Sequence, residues 1–178
     1  YQQRPIPWEV LSVLRRTVDN LDDNDPLTAL NTPGRLLIIG STRLLTQDLV
    51  NNNQYNAWLE VKRRKGFHLQ IVTLRDIALA QGDSSDSNIR AYISNTYHDS
   101  SLPPLTYAQI IGDKSGVFAV PTKEITNPEN SDDTSVGDDV FFAVDGDDYI
   151  TDVFYGRISA QSVTEFVQYF RKAYLYEV

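Results

Sequence analysis

The rhythm of hydrophobic and polar positions changes near residue 35. Before it, Trp8, Val10, Leu11, Leu14, Val18 and Leu21 follow Pro5 and Pro7 at spacings that predict one helical face. Asp22-Asp23-Asn24-Asp25-Pro26 breaks this pattern. After it, Leu36-Leu37-Ile38-Ile39 is a continuous apolar run closed by Gly40-Ser41, as expected of a strand buried on both faces of a parallel sheet. Tyr55, Trp58, Leu59 and Lys62 then share a helical stripe that Gly66 stops. Phe67 to Thr73 reads as a second strand. Ile89, Tyr92, Ile93 and Tyr97 read as a second core helix, entered from the polar loop Asp83 to Ser87.

Pro103-Pro104 punctuates the chain before a third strand, Tyr107 to Asp113. Thr122 to Gly137 is rich in Asn, Asp, Ser and Thr and is expected to be a long exposed loop. Asp152 to Ile158 predicts a fourth strand. Ser162-Val163-Thr164-Glu165 has the form of a capping box. It opens a helix whose apolar stripe is Val163, Phe166, Val167, Phe170 and Tyr174. This alternation predicts an α/β fold, an open and mostly parallel sheet of about four strands flanked by helices. The expected division is a helical lead-in or linker over 1–33 and one α/β unit over 34–178.

Composition narrows the function classes. The 178 residues suit one domain with a core of useful size. A net charge of -8 opposes nucleic-acid binding. The basic run Lys62-Arg63-Arg64-Lys65 closes a predicted helix, where cations complement the helix dipole. No apolar stretch approaches the roughly 20 residues of a membrane span. The chain starts at Tyr1 and contains no methionine, so it reads as an excised or processed piece. It also contains no cysteine, which excludes a thiol nucleophile within it.

In open α/β sheets ligands gather at the carboxyl ends of the strands, here marked by Gly40-Ser41 and Gly112-Asp113. These polar groups are expected mainly to cap the next helix. An independent enzyme using a carboxylate such as Asp113 is a weaker alternative. The glycine loops of nucleotide sites and the G-x-S-x-G elbow of serine hydrolases are absent. His68 and His98 have no partner in sequence that would make a metal pair and are read as structural or surface residues. Asp145, Asp147 and Asp152, with Asp148 nearby, form the densest oxygen-rich cluster and are the candidate metal ligands, for calcium. The alternative is a solvated hairpin turn at Asp145-Gly146. Asp132, Asp133, Asp138 and Asp139 read as solvated loop charges.

Taken in order, several pieces resemble the gingipain-like cysteine peptidases, a family of secreted bacterial enzymes. They are the strand Leu36 to Ile39; Trp58, Lys62 and Gly66, set loosely as in the family's Trp-Lys-x-x-x-Gly; and Ile89-Arg90-Ala91-Tyr92-Ile93 leading to Tyr97. Tyr107-Ala108-Gln109-Ile110-Ile111-Gly112-Asp113 follows the family's Tyr-Val-Leu-Leu-Val-Gly-Asp, with Val120-Pro121 downstream. The acidic run from Asp138, then Gly156-Arg157 and Tyr176-Glu177, complete the order. Two departures are the length of the Thr122 to Gly137 insertion and Leu59, rather than Lys, after Trp58.

The resemblance covers roughly Arg35 to Glu177. It implies the first, N-terminal subdomain of a caspase-like catalytic unit, secreted or at the cell surface. It also implies a partner, the C-terminal catalytic subdomain carrying the His and Cys dyad, and protein or peptide substrates. No catalytic residue and no further cofactor carries over onto this chain, which is expected to be inactive alone. A non-catalytic binding or scaffolding module derived from the same fold is the alternative.

Overall fold

The computed structural model describes residues 6–7, 29–30, 33–127, 130–145 and 150–178. The helix expected over Trp8 to Leu21 lies outside them. Two short strands, β1 (Ile6–Pro7) and β2 (Ala29–Leu30), pair in parallel.

The core begins at β3 (Arg35–Gly40), every residue of which is buried. Successive strand side chains point to opposite faces. Leu36 and Ile38 therefore enter one core cluster, and Leu37 and Ile39 the other. β3 pairs in parallel with β4 (His68–Thr73) and β5 (Leu105–Ile111), and β5 pairs in parallel with β8 (Phe154–Ile158). The result is a four-stranded, wholly parallel sheet in the order β4-β3-β5-β8. This agrees with the open parallel sheet expected from the sequence.

Helices cover both faces. Helix α1 (Asn53–Arg64) and a later helix, α5 (Val163–Glu177), bury Tyr55, Trp58, Leu59, Phe166 and Phe170 against one face. The other face takes Ile77 from α2 (Leu74–Gln81), Ile89 and Ile93 from α3 (Asp86–His98), and Phe141 and Phe142 from α4 (Asp139–Phe142). The sequence reading missed α2 and the π-helical turn Leu44–Asp48. Thr73, expected only as the end of a strand, also starts α2. Its hydroxyl accepts from the Asp76 N–H at 3.2 Å, and the Asp76 carboxylate accepts from the Thr73 N–H at 2.9 Å, a reciprocal cap.

Asn52 starts α1, its side-chain oxygen accepting from the N–H groups of Gln54 at 3.0 Å and Tyr55 at 3.1 Å. Replacing Asn52 by alanine is expected to cost about 1 kcal/mol, readable as a lower urea midpoint with an unchanged slope.

Two expectations are corrected. The segment read as a long exposed loop contains an antiparallel hairpin, β6 (Glu124–Asn127) with β7 (Asn130–Val136). Its composition is polar, but Ile125, Thr126, Thr134 and Val136 are β-branched and suit extended backbone. The capping box at α5 is half formed. Ser162 Oγ accepts from the Glu165 N–H at 3.3 Å, but the Glu165 carboxylate reaches one residue further back, to the Gln161 N–H at 2.8 Å.

Candidate functional site

The carboxyl ends of β3, β5 and β8 are where this architecture gathers chemistry. Ser41, after β3, is buried, and its hydroxyl accepts from the Leu44 N–H at 3.3 Å. That is the capping role expected of it. Gly112, after β5, has φ 149°, and a Cβ there would lie 2.4 Å from the Phe118 carbonyl oxygen, so the loop closes against bare backbone. Asp113 accepts from the Gln161 amide at 2.9 Å and from the Lys114 N–H at 2.8 Å. Those two hydrogen bonds hold its carboxyl below the usual carboxylate range, contrary to what a general acid needs.

The strongest arrangement in this region was missed by sequence. Asp138, read as a solvated charge, is 8% exposed. Arg157, on β8, donates to it twice, from Nε at 2.6 Å and from Nη2 at 2.9 Å. The remaining guanidinium hydrogens reach the carbonyls of Gly112 at 2.9 Å, Val120 at 3.1 Å and Pro121 at 3.3 Å. Thr122 donates to the same carboxylate at 2.8 Å. One planar group thus joins β8, the loop after β5 and the entry to α4. A bidentate fork of this kind needs arginine, since a lysine ammonium lacks the geometry. The signal available in sequence was Gly156-Arg157 itself, within the resemblance; its partner lay in an acidic run that gave no hint of burial.

A second arginine works similarly on the other side of α4. Arg90 donates to the carbonyls of Val140 and Ala143, both at 2.9 Å, and so closes the end of that short helix. Tyr155 donates to Asp139, so this aspartate is bonded although exposed.

The three aspartates read as candidate metal ligands separate into described and undescribed parts. The Asp152 carboxylate accepts from the N–H groups of Val144 and Asp145, both at 2.8 Å. Asp147 lies outside the described residues. Among those described, no group of three or more His, Cys, Asp or Glu side chains is placed to hold a metal ion. The alternative, a solvated hairpin turn at Asp145-Gly146, runs into residues outside those described, Gly146 among them. Upstream of it lies α4, which buries the rings of Phe141 and Phe142. His68 opens β4 and His98 closes α3, where its Nδ1 lies 2.8 Å from the Ser94 carbonyl. The structure brings neither histidine to the Asp152 turn.

The basic run at the end of α1 has specific partners beyond the helix dipole. Lys62 donates to both Glu177 carboxylate oxygens at 2.8 and 3.0 Å, and Lys65 to one of them at 2.9 Å. Arg64 reaches Glu60 at 3.2 Å. Burial pushes the Glu177 carboxyl up, but the hydrogen bonds from Lys62 and Lys65 outweigh it and hold the group below its ordinary range.

A family model described as peptidase family C25 matches residues 29–178. Lys-gingipain of Porphyromonas gingivalis is 27% identical over 150 residues, which is 83% of this chain and 8% of the relative. Lys-gingipain W83 of the same species gives the same figures. The chain therefore spans less than a tenth of the curated relatives it matches. Among solved structures, the complex of Porphyromonas gingivalis RgpB pro- and mature domains aligns with a TM-score of 0.58 at 20% identity, over 77% of this chain and 27% of that one. The architecture is thus the caspase-like α/β fold of that gingipain. Among the described residues, no helix is long and apolar enough to cross a membrane.

Proposed function

The chain belongs to peptidase family C25, a cysteine peptidase family, and from that premise we propose that it is the N-terminal, non-catalytic subdomain of a secreted gingipain-like endopeptidase. The observation that carries this reading is the pairing of a family match over residues 29–178 with a sequence that has no cysteine at all. The thiolate that attacks the peptide carbonyl, and the imidazole that activates it, then come from a C-terminal subdomain of the same protein. This unit contributes a rigid sheet and loops held in place by Arg157.

Exposed apolar residues on the outer side of α5 support a covered face. Tyr169 is 44% exposed, Leu175 67% and Tyr176 85%, and a module that works alone would ordinarily bury or replace such a stripe. The occupant proposed for it is the catalytic subdomain.

The test is to express this chain alone and again with the polypeptide that follows it in the parent reading frame. Thiol-dependent cleavage of peptide substrates is expected of the longer protein only. Turnover by the pure 178-residue chain, or a continuation without a His and Cys each just after an apolar strand, would overturn the proposal.

A further inference from the structure

The face of the sheet under α1 and α5 is incompletely filled. A cavity of about 670 Å³ opens there between the ends of those helices and the early parts of β3, β5 and β8. That volume is in the range of small-molecule sites. Its apolar wall is aromatic. Phe67 meets Tyr107 edge-on at 5.4 Å, and Tyr107 stacks on Phe154 at 5.5 Å with planes 29° apart. Phe154 is 54% exposed, so the stack presents a face rather than a packed interior. Gly156 also lines the cavity, and a Cβ added there would meet nothing closer than 3.7 Å. The absent side chain therefore leaves room that the surrounding packing does not need.

The cavity's charge is opposite to that of the molecule. Lys62 and Lys65 both line it and share a single carboxylate, Glu177, leaving one net positive charge in a chain of net charge -8. Lys62 Nζ also lies 5.5 Å from the Trp58 ring centre and 5.9 Å from that of Phe67, so its ammonium borders the aromatic wall. The two ammonium groups retain N–H donors not spent on Glu177. Glu177 shows what they bind, a carboxylate that accepts from them at 2.8–3.0 Å.

We propose that this cavity binds a small aromatic carboxylate, its ring against Tyr107 and Phe154 and its carboxylate on Lys62 and Lys65 beside or in place of that of Glu177. The ring supplies burial, and the charge selects an acid over its neutral counterpart.

The probe is indole-3-acetate, compared with the isosteric neutral indole-3-acetamide, titrated into the 178-residue chain and followed by amide NMR shifts. Saturable shifts around Gly156 and Lys65 are expected, with a dissociation constant of about 1 mM or tighter. The amide is expected to bind at least about tenfold more weakly, equivalent to roughly 1.4 kcal/mol. Gly156→Leu fills the space and is expected to abolish the shifts, and Lys62→Gln to weaken binding of the acid but not of the amide. Equal affinity for acid and amide, no saturable binding of either, or undiminished binding by a folded Gly156→Leu protein would overturn the proposal. Should Gly156→Leu fail to fold, the acid-to-amide ratio in Lys62→Gln decides alone: a ratio unchanged from the unsubstituted chain overturns it.

Discussion

Replacing Arg157 by methionine is expected to lower the unfolding free energy by about 3–5 kcal/mol. The substitution keeps most of the apolar stem of the side chain but removes every donor. Asp138 is left as a buried carboxylate with, among the described residues, only the Thr122 hydroxyl to serve it, and the carbonyls of Gly112, Val120 and Pro121 lose their shared partner. Breaking one side of a buried pair costs more than the pair itself contributes, because the surviving charge stays desolvated. The double variant Arg157→Met with Asp138→Leu is accordingly expected to be more stable than Arg157→Met alone. Urea unfolding of both variants checks this, and equal midpoints would show that the stranded carboxylate is not the source of the loss.

Phe170→Ala is expected to be comparably severe, about 3–5 kcal/mol. Phe170 is fully buried at the meeting of α1 and α5, with ring centres 5.0 Å from Tyr55 and 5.2 Å from Trp58. Truncation removes the transfer energy of a whole ring and leaves a void between two helices that other contacts hold apart. Tyr169→Ala, one residue away and 44% exposed, is expected to change stability by well under half as much. Denaturation midpoints of the two variants give the comparison, and similar losses would mean that α5 is held by general helix propensity rather than by its buried stripe.

The parts legible in sequence were those with one physical cause. β3 could be read because burial on both faces leaves an unbroken apolar run, and α1 and α5 because their apolar residues repeat at a helical period. α2 could not, being eight residues long and dependent on Thr73 both to end β4 and to cap the helix. The β6–β7 hairpin could not, because its polar residues carry no alternation to distinguish a strand from a loop. Asp138 was misread for a deeper reason. An acidic run looks the same whether water or a guanidinium 19 residues later satisfies it, and only the fold brings Arg157 there.

Pro33 and Glu177 line the same cavity, although nearly the whole described core separates them in sequence. The two ends of the described core therefore lie at one place, with Glu177 fastened there by Lys62 and Lys65. A unit closed in this way can sit within a longer polypeptide like a stitch, drawing its neighbours together rather than spacing them apart. Substitutions at Lys62 or Lys65 would then loosen that closure as well as lower the stability of the unit.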